Sequence, residues 1–131
     1  MNFDEIIKKE ICVKESSLEK ELLEQGTKYA KWAQKLAECR AKYDQKKLEL
    51  QILEAQLAKK YRETLTKVTE RAVDEAVTSD ERWIQMNREL LKIKEELTQL
   101  EVIVNALIHR KDMLTNYVNL IKVKSFKGGQ D

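Results

Sequence analysis

Apolar residues in the C-terminal half of this chain fall into two interleaved rows. Trp83, Leu90, Leu97, Val104 and Val118 form one row, interrupted by Lys111; Met86, Ile93, Leu100, Leu107, Leu114 and Ile121 form the other, at spacings of three and four. Side chains so spaced share one face of a helix, and a stripe sustained this long is buried against another helix. The pattern predicts a helix over about 80–122, opened by a capping box at Thr78-x-x-Glu81.

The N-terminal half carries a matching but less regular pattern. Leu22, Tyr29, Leu36, Tyr43, Leu50 and Leu57 form one row, Leu18, Trp32, Cys39 and Leu53 the other, with Gln25, Lys46 and Lys60 as polar exceptions. They predict a helix over about 17–63, with a second capping box at Ser16-x-x-Glu19. Before it, Phe3, Ile6, Ile7 and Ile11 lie on one side of a short helix over about 3–10, ended where Ile-Cys-Val breaks the period. Two helices of equal length joined by a short connection, about 64–79, make an antiparallel hairpin. The expected fold is all-α: one domain over 1–131, a short helix followed by the long hairpin, and a tail at 123–131.

A two-helix hairpin encloses no core, so its apolar surface implies self-association. The stripe residues Trp83, Met86, Leu90, Leu97, Ile103, Val104, Leu107 and Leu114 are the candidate oligomer interface. Ile84, Leu91, Val102, Ile103, Ile108, Tyr117 and Leu120 lie beyond the main rows and would be exposed on a monomer.

Composition agrees with helices: no Pro, 3 Gly and 37% charged residues in 131. Cys12 and Cys39 read as two reduced thiols of a cytoplasmic protein. The acidic start lacks the pattern of a signal peptide, and the longest apolar run, 102–108, is far shorter than the roughly 20 residues that span a bilayer. A soluble protein with no membrane partner is expected.

Charge changes the picture more. The net charge of +2 divides into −3 over residues 1–27, +6 over 28–71 and −1 over 72–131. The electropositive middle is suited to polyanions. Its densest cluster falls where the hairpin would reverse: Lys59, Lys60, Arg62, Lys67 and Arg71, with Tyr61 among them. Lysine and arginine neutralise phosphates and an interleaved aromatic can stack on an unpaired base, so these six are the candidate single-strand-binding residues. Lys122, Lys124 and Lys127 around Phe126 are a second basic candidate.

Enzyme chemistry finds no support. His109 is the only histidine, and nothing pairs it with a nucleophile. Ala106 stands three before it, against a Glu-x-x-His di-iron motif. The chain has neither a Gly-rich phosphate loop nor Cys-x-x-Cys spacing. No cofactor, metal or catalytic residue is expected.

The order of several features resembles the UvsY-type recombination mediators of T-even-like phages. They are a short acidic N-terminal helix, Tyr29-Ala30-Lys31-Trp32, Leu53-Glu54-Ala55-Gln56 before the basic segment, an acidic stretch after Thr78 and Ser79, Arg110, and Phe126 followed by Gly128. The resemblance implies a ring-shaped homo-oligomer, hexamer or heptamer. It further implies binding to single-stranded DNA, loosening of the single-strand-binding protein, and loading of a RecA-like recombinase in the host cytoplasm, without bond chemistry. Departures stand out. About one extra heptad lies between Trp32 and Leu53, no glycine occurs over 64–70, and Thr64 stands where a second DNA-contacting basic residue is expected, so Arg62 alone carries over. The competing reading is a structural coiled-coil scaffold or adaptor whose charges only keep it in solution.

Overall fold

The structure, a computed structural model, describes residues 2–128. Among them every regular element is helical: α1 (Phe3–Ile6), α2 (Leu18–Thr64), α3 (Glu70–Ser79) and α4 (Glu81–Gly128), with a π turn over Ile7–Ile11 and a 3-10 turn over Glu15–Ser17. The chain forms two compact units, one of residues 1–36 and 99–131, the other of 37–98.

In the first unit, Asn2 caps α1 by accepting from the Asp4 amide at 3.0 Å. The π turn closes when the Cys12 amide donates to the Ile7 carbonyl at 3.2 Å, and Cys12 leaves in an extended conformation. Ile6, Trp32, Leu36, Leu100, Ile103, Val104, Leu107 and Leu114 are buried. Ile103, expected on the exposed side, is only 1% exposed, and Leu107 is wholly enclosed. Full burial of a leucine side chain contributes about 1.5–3 kcal/mol.

The α2 seam in this unit departs from the predicted row. Leu22 and Tyr29 face solvent, while Glu21, Gln25 and Lys28 turn inward beside Trp32 and Leu36. Glu21 to Trp32 and Gln25 to Leu36 are both 11-residue steps. An 11-residue spacing tracks a straight helix more closely than a heptad does, so the buried face drifts off the Leu22–Tyr29 row.

The second unit solves the reversal without glycine or proline. Loop 65–69 ends at Thr69, whose hydroxyl accepts from the Ala72 amide at 3.1 Å and caps α3. Val73 and Val77, one turn apart on α3, pack against Leu57 of α2, with Leu53, Ala58, Tyr61, Leu65 and Trp83 around them. Three helices thus enclose a core at the turn. The expected connection over 64–79 is mostly α3.

Asp80 separates α3 from α4. Its backbone is extended and its carboxylate accepts from the Arg82 amide at 2.9 Å, which makes it the N-cap of α4. The predicted Thr78 box does not form, because Thr78 still belongs to α3 and its hydroxyl donates back to the Asp74 carbonyl at 2.9 Å. Antiparallel pairing of α2 and α4 within this unit is marked by Lys46 against Glu89 at 3.2 Å and by Trp83 Nε1 donating to Glu54 at 2.9 Å. At its far end α4 runs on to Gly128, so the expected tail starts as helix.

Candidate nucleic-acid interface

The six predicted contact residues all belong to the second unit, but the structure gives them different positions. Lys59 and Lys60 lie in the last turns of α2 and Lys67 in loop 65–69; all three are exposed and make no ion pair among the described residues. Arg62 donates to Glu70 at 3.2 Å and Arg71 to Glu75 at 3.1 Å. Both pairs are well exposed, where an ion pair contributes about 0–1 kcal/mol.

Tyr61 is part of the scaffold. Its ring is half-buried against the Leu57–Val73–Val77 core, and its hydroxyl donates to Asp80 Oδ2 at 2.8 Å. The Lys60 ammonium lies 5.5 Å from the ring centre. Hydrogen bonding to Asp80, followed by burial, pushes the phenol up from its ordinary value. Asp80 is held well below the usual carboxylate range, first by the Arg82 guanidinium and then by Tyr61. The Tyr61–Asp80–Arg82 network thereby ties the end of α2 to the start of α4.

A lowered carboxylate pKa stabilises the fold above the unfolded value and is lost as pH falls through the folded one. The stability advantage of the wild type over Asp80→Asn should therefore be constant from neutral pH to about pH 5 and shrink below about pH 4. Urea melts at several pH values check this; an advantage that grows in acid contradicts the network.

Among the predicted interface residues, Trp83, Met86, Leu90 and Leu97 are half-buried, whereas Ile103, Val104, Leu107 and Leu114 are buried within the single chain. Apolar side chains left exposed on α4 include Leu91, Val102, Ile108, Met113 and Leu120. Lys122 and Lys124 are exposed on the last turns of α4. The side chains of Phe126 and Lys127 lie outside the described residues.

Cys39 is buried, its Sγ 3.8 Å from the Ile93 carbonyl, and burial pushes its thiol up. His109 is exposed. Among the described residues no cluster of histidine, cysteine and carboxylate suits a metal ion, and no helix is long and apolar enough to cross a membrane.

Sequence reasoning missed a polar layer in the first unit. Arg110, 1% exposed, donates to Glu21 and to Gln25, and Gln25 donates in turn to the Leu107 carbonyl at 2.7 Å. Burial pulls the Arg110 guanidinium down, while the nearby Glu10 carboxylate opposes that shift. The signal was present: Arg110 continues the buried series Ile103, Leu107, Leu114 at spacings of four, three and four, opposite the polar exception Gln25.

No family model and no curated protein matches this chain. Its fold is nevertheless one known from a phage recombination mediator. It is similar to the crystal structure of the bacteriophage T4 recombination mediator protein UvsY, with a TM-score of 0.79 over 95% of this chain and 99% of that one, at 12% identity. The two chains share a fold over nearly their whole length.

Proposed function

We propose that this protein is a recombination mediator that binds single-stranded DNA and helps load a RecA-like recombinase onto DNA covered by single-strand-binding protein. It acts as a ring-like homo-oligomer in the cytoplasm of the phage's host, in recombination and in the repair and replication that depend on it. The observation that carries the reading is the fold shared with the T4 mediator, together with three exposed lysines at its reversal, Lys59, Lys60 and Lys67, that make no ion pair among the described residues. A hairpin needs no such cluster to turn, and unpaired like charges repel. Repetition around an oligomer would turn a modest local charge into a track that follows a backbone without reading bases.

Titration of labelled oligo(dT) at two salt concentrations tests it. Binding should be insensitive to sequence and weaken steeply with salt, because each phosphate contact releases counterions. Affinity that does not change with salt, or the absence of binding, returns the chain to the scaffold reading.

A further inference from the structure

The N-terminal segment lies against basic side chains of α2 in the first unit. Glu10, at the end of the π turn and 5% exposed, places one carboxylate oxygen 3.9 Å from Lys28 Nζ and the other 3.6 Å from Lys31 Nζ. Lys28 also donates to the Lys9 and Glu10 carbonyls at 3.3 and 3.4 Å, which the short helical segment leaves free at its C-terminal end. The Arg110 guanidinium interacts electrostatically with the Glu10 carboxylate, and its Nε is buried with no hydrogen-bond partner among the described residues. Lys31 also lies 5.2 Å from the Trp32 ring.

The charges are unevenly shared. Lys20, Lys28, Lys31 and Arg110 meet Glu10, Glu21 and Glu24, and withdrawing Glu10 leaves four cations facing two carboxylates. Glu10 comes from the element least able to hold itself in place. The α-helical part of the segment is one turn of 4 residues, too short to persist alone. Within 2–11 only Ile6 and Glu10 are buried. Segments with so few buried contacts open at a small fraction of the global unfolding free energy.

We propose that the N-terminal segment is a phosphate mimic: the Glu10 carboxylate occupies a pocket of Lys28, Lys31 and Arg110 that accepts a phosphate of single-stranded DNA once the strand displaces the segment. The inference rests on the single-strand binding proposed above and adds to it a masked second contact in the first unit. Single-stranded DNA then competes with an internal carboxylate, so the strand that binds this pocket must already be held elsewhere on the protein.

Four full-length proteins test it: wild type, Glu10→Gln, Lys31→Ala and the double variant, titrated with labelled oligo(dT), their helicity checked by circular dichroism. Removing the competing charge should tighten binding about three- to tenfold, and on the Lys31→Ala background that gain should shrink to less than about twofold. In the wild type, amides 4–11 should exchange hydrogen faster when oligo(dT) is bound. The proposal is overturned if Glu10→Gln binds no more tightly than wild type, if its gain survives intact without Lys31, or if amides 4–11 exchange more slowly on binding. Absence of any wild-type binding removes the mediator reading as well. Wild-type binding that depends on Lys59, Lys60 and Lys67 but ignores Glu10 removes this inference alone.

Discussion

Replacing Arg110 with leucine should destabilise the first unit by about 3–5 kcal/mol, the usual cost of removing one partner from a buried ion pair. Glu21, 8% exposed, would be left charged with its donor gone, and Gln25 would lose the donor to its carbonyl oxygen. The double variant Glu21→Leu/Arg110→Leu should recover most of that loss, because it removes both desolvation penalties and extends the Leu107–Leu114 stripe. Arg110→Lys should rescue little, since one ammonium does not reproduce a fork that reaches Glu21 and Gln25 together. Urea denaturation of the four proteins measures the terms. A neutral single variant would mean the layer is solvated rather than buried.

An ion pair that apolar side chains can replace at little cost in stability contributes specificity instead. A buried polar contact between helices penalises sliding more than an apolar one, because each shift leaves a donor unmatched. Along α4, Ile103, Leu107 and Leu114 would accept several registers against α2; Arg110 accepts the one that brings Glu21 and Gln25 opposite it.

The same contrast explains what could be read in advance. The rows of α4 were legible because its buried face is apolar from Leu100 to Leu114 except at Arg110. The first turns of α2 were not, because their buried face is Glu21, Gln25 and Lys28, and a search for apolar periodicity settles on Leu22 and Tyr29 instead. At the reversal, position and charge were legible, since Lys59, Lys60, Arg62, Lys67 and Arg71 stand together in the sequence. Their pairing was not. Arg62 finds Glu70 only because α3 folds back on α2, and Tyr61 serves the core only because Asp80 caps α4 beside it. The cap of α4 lies two positions beyond the predicted one: Thr78 and Asp80 both suit a cap, and the choice depends on where α3 ends.

The pairing pattern ranks the basic residues for the second large effect. Changing Lys59, Lys60 and Lys67 together to alanine removes three cations that no carboxylate neutralises among the described residues, so it should weaken binding to oligo(dT) tenfold or more, about 1.4 kcal/mol or above. The logarithmic salt dependence should flatten by about two, as three lost phosphate contacts require on a single strand. Helicity should be retained, because none of the three is buried. Arg62→Ala with Arg71→Ala should cost less, about threefold or under, because each guanidinium already shares its charge with Glu70 or Glu75. Lys122→Ala with Lys124→Ala, on the last turns of α4, tests the competing basic site. Loss of binding in that variant, with the triple variant binding like wild type, would move the principal contact to the end of α4 and leave the lysines at the reversal as a solvated turn.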